Sequence, residues 1–348
     1  MNIKKLSIAL TIAICLVLVG SPEATAQGKG KGGGSSGGGD GGGNTGTEYL
    51  VAQLETTDGV GLHDRANDVN DLREVVGRAT LPNGDTTAGY WVVTATGGAA
   101  QSTLSLLDGG HVATAINNRG EIVGQTYGES GNPLGVYWAT ASSSAIVLPL
   151  LQGFDVSLPD RLNDNGIICG LVAVDGDPQS SIPVLWQVTD VGGGPQVSQP
   201  IVLPSFGPGS SAQDINNVDV DSGLFQVVGM QRTTWTPLLW EVQMLSDGAI
   251  SIPAAPQVLD PIGGAFATGI NSSGDVCGRT ELDAVVWSGG SATILDRSGK
   301  GKKQVPRAWA WDMGDGGIVV GEAGPLIDSR ACYWDGSDGP LTFLDQYL

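Results

Sequence analysis

The sequence predicts an all-β fold, a single β-propeller of six four-stranded blades. Three observations predict it: one motif recurs six times, a tryptophan follows each copy, and helical periodicity is absent. The landmark tryptophans are 47, 48, 54, 47 and 47 residues apart: Trp91, Trp138, Trp186, Trp240, Trp287 and Trp334. Because so short a unit cannot bury both faces of its sheet alone, neighbouring copies must stack. Stacking around an axis makes a propeller; a linear β-solenoid is the alternative, although its coils are usually shorter.

Each copy contains a first strand that ends at an asparagine, a tight turn, and a second strand that ends at a glycine. Residues 113–124 read ATAINNRGEIVG, and residues 267–278 read ATGINSSGDVCG. Asparagine suits the start of such a turn, and glycine its positive-φ end. In the sixth copy we expect Asp312 to replace the asparagine. The third strand ends at the landmark tryptophan, which we expect to be buried between blades, and the fourth strand is a short aliphatic run.

These residues resemble the HAF repeat of bacterial extracellular proteins. The pattern is roughly Ala-x-x-Ile-Asn-x-x-Gly-x-Ile-Val-Gly followed by Ala-x-x-Trp, and the second and fifth copies match it best. The resemblance covers about residues 60–340. It implies export and a propeller-like fold, and it brings no catalytic residues. The fourth copy departs from the pattern through an insertion at Val218 to Phe225, and the sixth at Asp312.

The N-terminus predicts export. Lys4 and Lys5 precede an apolar stretch and a small-residue cleavage site at residues 24–26, so residues 1–26 are expected to be a signal peptide. Residues 27–47 are a glycine-rich linker, and residues 48–348 form the propeller. No later stretch is long enough to span a bilayer, so we expect a secreted or periplasmic protein. Tyr49 to Glu55 resembles a spare fourth strand that would close the ring by pairing with the C-terminal blade.

The net charge limits the classes of partner that we expect, and the cysteines indicate core positions. The chain has 36 acidic and 17 basic residues, and signal removal leaves a net charge of −20. Such a surface repels phosphate backbones, so nucleic acid is not expected as a partner. Cys169 and Cys277 each precede a repeat glycine where other copies have valine, and we expect them to be buried core residues. We expect a monomer whose partner is an extracellular or envelope protein, or a glycan.

No familiar catalytic motif is present, but one loop resembles a calcium site. Asn217, Asp219 and Asp221 alternate along the insertion in the fourth copy and are followed by Gly223. Oxygen ligands at alternating positions are typical of calcium loops, although no glutamate occupies the twelfth position. The alternative is a longer polar hairpin. If calcium binds, the melting temperature should rise with calcium concentration.

A second candidate site follows from propeller topology. Loops that enter the first strands share one face with the loops between the second and third strands; we call it the entering-loop face. It should hold both histidines and the basic cluster of this acidic chain, and the candidate ligand-binding residues are His63, Asp64, His111, Arg297, Lys302 and Arg307. Loops on such a scaffold commonly carry function.

Two functions remain open at this stage. The first is a non-enzymatic binding or scaffold module in the cell envelope or outside the cell. The second is a hydrolase or lyase that acts on extracellular polysaccharide at the mouth of the propeller channel. The fold alone does not decide between these two functions.

Overall fold

The computed structural model describes residues 14–15, 52–57, 64–96, 99–190, 192–259, 262–298, 304–326 and 328–344. Within these ranges the chain is all-β and contains no α-helix, and six sheets are arranged as a six-bladed β-propeller. The predicted fold class is therefore confirmed. The predicted signal peptide and glycine-rich linker lie almost wholly outside the described residues; only Ile14–Cys15 is described, paired with Ala52–Gln53.

Every blade is built from consecutive antiparallel strands. The first strands are Arg65–Val69, Val112–Ile116, Val156–Leu162, Ser210–Ile215, Phe266–Ile270 and Ala308–Met313. The second strands are Glu74–Thr80, Ile122–Tyr127, Ile167–Val174, Leu224–Gln231, Val276–Arg279 and Ile318–Ala323. The third strands are Thr86–Thr96, Pro133–Trp138, Asp177–Asp190, Thr236–Met244, Ala284–Ser288 and Arg330–Asp335. The fourth strands are Ala99–Leu106, Ile146–Val147, Ile201–Val202, Gln257–Val258, Ser291–Ile294 and Thr342–Phe343. Blades 3 and 4 each add a short strand, Pro195–Val197 and Ile250–Ser251.

The turn asparagine caps its own turn and also ties adjacent blades together. The Asn117 side-chain oxygen accepts hydrogen bonds from the Arg119 and Glu121 amides at 3.0 and 2.9 Å. Its amide nitrogen donates to the carbonyl of Asn163 in the next blade at 3.0 Å. The first, third and fourth blades repeat this link to the next blade. The predicted cap is thus confirmed, and the same side chain joins successive blades.

The expected role of Asp312 is wrong. In the sixth blade the turn position belongs to Gly314, whose amide donates to the Ile318 carbonyl and whose carbonyl accepts from Gly317. Asp312 lies two residues earlier, opposite Val320 in the strand register. The displacement arises because the sixth copy has no asparagine, and a glycine can follow the same backbone path without a side-chain cap.

Two further sequence expectations are confirmed in the core. All six landmark tryptophans are buried, with no more than 2% of any of them exposed. Cys169 and Cys277 are buried free thiols. At the repeat glycine Gly124, an added Cβ would meet the Val112 carbonyl oxygen at 2.1 Å, so the two strands can approach only because no side chain is present.

A leucine follows each fourth strand, and in blades 1–5 it packs with the landmark tryptophan of the next blade. Leu148, for example, shares a core cluster with Trp186, whose indole nitrogen donates to the Pro149 carbonyl at 2.9 Å. The equivalent leucines are Leu107, Leu203, Leu259, Leu295 and Leu344, all of them buried. The five contacts between successive blades, from blade 1 to blade 6, are therefore the same hydrophobic unit repeated.

Of the predicted spare strand Tyr49–Glu55, only residues 52–55 are described, and these do not pair with the sixth blade as expected. The sixth blade has its own fourth strand, Thr342–Phe343. Leu54 instead packs in the cluster around Trp91, and the Trp91 indole donates to the Glu55 carbonyl at 2.7 Å. Leu54 and Glu55 thus supply the leucine and the carbonyl that a preceding blade supplies elsewhere. Burying the indole and pairing its N–H explain why the segment lies there.

Candidate functional site

The structure assigns a structural role to Asp64, one of the predicted site residues. Asp64 is 2% exposed, and one carboxylate oxygen accepts the Thr80 amide at 2.6 Å. This bond joins the start of the first strand in blade 1 to the end of the second strand. The other oxygen is buried without a hydrogen-bond partner. His63 and Lys302 lie outside the described residues.

His111 lies between blades 1 and 2. Its backbone amide donates to the Gln125 carbonyl, and its ring meets the Tyr127 ring edge-on with centroids 4.9 Å apart. Thr86 Oγ1 lies 3.0 Å from its Nε2. The imidazole therefore contacts the Thr86 hydroxyl and the Tyr127 ring.

Arg297 secures the loop that leads into the sixth blade. Its Nε lies 2.8 Å from a carboxylate oxygen of Asp283, and Nη1 donates to the Pro306 carbonyl at 2.7 Å. Both partners belong to loops of the entering-loop face, on which the sequence predicted Arg297. These contacts hold the two loops together.

Arg307 leads to a cluster that the sequence analysis missed. Its guanidinium carbon lies 3.8 Å from the centre of the Trp309 ring, and Nη2 pairs with Glu322 at 3.1 Å. Arg279 approaches the same ring at 4.1 Å. Two guanidinium groups therefore share one indole. Arginine prefers such aromatic faces because its flat cation is weakly hydrated.

Arg279 stands among three aromatic rings. Besides Trp309, its guanidinium carbon lies 4.7 Å from the centre of Phe266 and 5.2 Å from that of Trp311. The indoles of Trp309 and Trp311 meet at 90° with centroids 6.0 Å apart. We call Phe266, Arg279, Arg307, Trp309 and Trp311 the arginine–tryptophan cluster.

The cluster reaches the surface through tryptophans. Trp311 is 38% exposed, and Trp235, whose ring lies 4.5 Å from that of Phe266, is 47% exposed. Trp235 has a φ of 53°, in the left-handed region that few bulky residues adopt. The three tryptophans that fall outside the repeat phase are thus the three that gather here. That phase difference was the signal that could have identified them from sequence.

Strand register explains how the cluster forms. Phe266 pairs with Arg279, and Trp309 pairs with Glu322, at the same position of blades 5 and 6. Blade 1 has Arg65 opposite Arg78 at this position, whereas blade 3 has Leu158 opposite Leu171. Charged and aromatic side chains therefore occupy this repeat position in blades 5 and 6, whereas the pair in blade 3 is apolar. The innermost strands carry them towards the entering-loop face.

The electrostatics of the cluster favour an added negative charge. Burial lowers the pKa of Arg279, neighbouring Arg307 lowers it further, and Glu322 acts in the opposite direction. Nε of Arg279, and Nε and Nη1 of Arg307, are buried donors without hydrogen-bond partners. Unpaired cationic donors of this kind are unfavourable unless another acceptor reaches them.

A second candidate lies on the opposite face, where a cavity of about 300 Å³ opens at the propeller axis. Three of its charged residues, Arg161, Asp214 and Asp312, occupy one repeat position, the residue opposite the one before the repeat glycine. That position holds, from blade 1 to blade 6, Asp68, Ala115, Arg161, Asp214, Gly269 and Asp312. Charged residues in four of six copies of an otherwise apolar strand are a signal that sequence alignment could have supplied.

Asp68 and Asp214 at this repeat position accept hydrogen bonds from backbone amides. Asp68 accepts the amides of Val69 and, in the next blade, Ile116. Asp214 accepts the Ile270 amide of the next blade at 2.7 Å. These carboxylates therefore join neighbouring blades through hydrogen bonds. Asp214 also lines the cavity.

Burial is the largest influence on the pKa of Asp214. It raises the pKa of Asp214 to about 7, with the charge of Asp312 acting in the same direction and Arg161 opposing it. Burial alone would lower the pKa of Arg161, but the surrounding carboxylates, Asp68 first among them, leave it raised. The cavity could therefore hold a proton near neutral pH, which a general acid or base requires.

The predicted calcium loop is an ordered hairpin whose oxygens have other partners. Asn217 accepts the Asp164 amide across the blade contact at 2.7 Å. Asp219 Oδ1 accepts from the amides of Asp221 and Ser222 and from the Ser222 hydroxyl, and the Ser222 bonds lower the Asp219 pKa. In the described part of the chain no three His, Cys, Asp or Glu residues gather as a metal site. The calcium site stays a prediction.

No helix among the described residues combines the length and apolar character needed to cross a membrane. This finding concerns only the portion of the chain that the structure describes.

Comparisons with known proteins give no family. No protein-family model and no curated protein matches the sequence. The resemblance to the HAF repeat therefore stays a prediction.

Several solved structures share a distant likeness. An acylaminoacyl peptidase from Pyrococcus horikoshii is 11% identical over 80% of this chain and 46% of its own, with a TM-score of 0.45. TolB from Acinetobacter baumannii is 12% identical over 77% and 62%, with a TM-score of 0.42. A mutant Aleuria aurantia lectin in complex with Fucα1-6GlcNAc is 10% identical over 78% and 91%, with a TM-score of 0.41. This chain thus spans less than two thirds of the peptidase and of TolB.

Proposed function

We propose that this protein is an exported, non-enzymatic binding module that holds its ligand on the arginine–tryptophan cluster. One observation carries the proposal: Arg279 lies among three aromatic rings, and one of them, Trp311, is 38% exposed. Tryptophan and arginine are the residues that most often dominate binding energy at interfaces. Arg307 packs against the Trp309 ring and pairs with Glu322, so this indole is held in place before a ligand arrives.

The test measures retention of the purified protein on a panel of neutral and acidic polysaccharides and on immobilised envelope proteins. Trp311→Ala should weaken retention at least tenfold, because it removes the exposed ring. Leu72→Ala is the matched control: Leu72 is 61% exposed and lies in a turn on the opposite face, so its replacement should leave retention unchanged. Equal retention of the parent and Trp311→Ala would show that the ligand binds elsewhere.

A second candidate function is an enzyme that acts on extracellular polysaccharide at the axial cavity. The observation that favours it is Asp214, whose pKa of about 7 lies in the range expected of a general acid or base, beside Arg161. The same incubations separate the two functions. Release of shortened products by the parent, and its loss in Asp214→Asn, would support the enzyme; retention without product supports the binding module.

A further inference from the structure

The positive charge of the arginine–tryptophan cluster exceeds the negative charge that faces it. Glu322 is already engaged, with one carboxylate oxygen paired to Arg307 and the other accepting the Ser329 hydroxyl. Arg279 makes no ion pair with any carboxylate in the described residues. On a chain of net charge −19, this is a local site for an anion.

The acidic surface around the arginine–tryptophan cluster limits the long-range attraction of an anion to it. Most of the protein surface is acidic and repels a polyanion, so long-range attraction cannot supply the affinity. Contact must therefore come from short-range pairing with Arg279 together with stacking on the exposed ring of Trp311. Arg307 is buried and its Nη2 already pairs with Glu322, so it contributes positive charge and not a direct contact.

The shape of the cluster favours a rigid ring over an extended peptide. Trp309 and Trp311 meet at a right angle and form a corner of two flat faces. A flat indole matches the C–H face of a pyranose, which is apolar and about as wide as the ring. The strand that carries both tryptophans is bulged between Ala310 and Asp312, so it offers no regular edge to which a peptide strand could add.

We infer that the ligand of this cluster is an acidic polysaccharide, whose pyranose rings stack on the exposed indole of Trp311 while their carboxylates pair with Arg279. The inference rests on the proposed function and adds the ligand class to it. A guanidinium binds a carboxylate through two parallel hydrogen bonds, which an ester cannot accept with the same strength. Discrimination between acid and ester is therefore the property to measure.

The experiment compares polygalacturonate with the same polymer after full methyl esterification, using the purified protein and affinity electrophoresis. The parent should bind the acid form at least tenfold more tightly, and added salt should reduce that preference. Arg279→Gln should lower the preference for acid over ester, and Trp311→Ala should weaken binding to both forms. Arg279→Lys keeps the charge but loses the planar fork, so an intermediate preference is expected.

Each contrary result has a distinct meaning. Equal binding of acid and ester forms, still weakened by Trp311→Ala, would overturn the acidic ligand and leave the binding module intact. Tighter binding of poly-glutamate than of polygalacturonate would identify an acidic peptide instead. Binding of neither polymer nor any panel member would remove both proposals. Melting curves identify any variant that fails to fold. In that case the relative affinity of the parent for the acid and ester polymers tests the acidic ligand.

Discussion

Replacing Leu54 with alanine should destabilise the first blade. Leu54 is 2% exposed and fills the space beside Trp91, where blade 6 would be expected to supply its own leucine. Buried Leu→Ala changes cost about 2–5 kcal/mol. Because this segment precedes the first blade and can relax, we expect the lower part of that range, about 2–3 kcal/mol. For a chain of this size that corresponds to a fall in melting temperature of roughly 3–5 °C.

The matched control is Leu344→Ala. Leu344 is 5% exposed and follows the fourth strand of blade 6, in register with the leucines of blades 1–5. Hydrogen exchange measured by mass spectrometry should show faster exchange in residues 65–96 for Leu54→Ala. Leu344→Ala should instead affect residues 308–335. Calorimetry supplies the melting temperatures of both variants.

One outcome would refute this reasoning about the first blade. If Leu344→Ala loosens residues 65–96 and Leu54→Ala leaves them protected, the sixth blade fills the Trp91 pocket itself. The contact between the last and first blades would then be identical to the other five.

Two further predictions concern the core. Trp186→Ala should lower the free energy of unfolding by about 3–5 kcal/mol, since the indole is fully buried and bonded to Pro149; a parent-like melt would contradict its repeat role. The raised pKa of Asp214, about 7 against 3.8 unfolded, means that its stabilisation is present at low pH and is lost as pH rises through 7. Melting temperature should therefore fall from pH 5 to pH 8, and less steeply in Asp214→Asn; identical slopes would disprove the assignment.

The strand pattern was predictable because it depends on local and periodic signals. The turn asparagines, the glycine at which strands meet and the tryptophan at one phase all act through neighbouring backbone, so similar residues give similar structure in each copy. Asn117 illustrates this: its cap bonds reach only two and four residues along the chain. The position of Asp312 was misjudged because the sixth copy lacks that local signal.

The candidate site was only partly predictable. Topology placed Arg297 and Asp283 in loops of one face, and the structure pairs them. It could not indicate that Trp309 and Trp311 turn their rings towards Arg279. Those contacts join residues from two blades, and they depend on side-chain direction at a strand bulge as well as on sequence spacing.

Sequence by itself determined the number of blades, the strands within each blade and the buried landmark tryptophans. It did so because each blade repeats the same local choices and must stack to bury its faces. Only the tertiary structure decided which chain segment packs against Trp91, and which charged residues share a surface or the axial cavity. Both depend on contacts between residues of different blades; alignment of the repeats shows which positions carry charged or aromatic residues, but not which of those side chains meet.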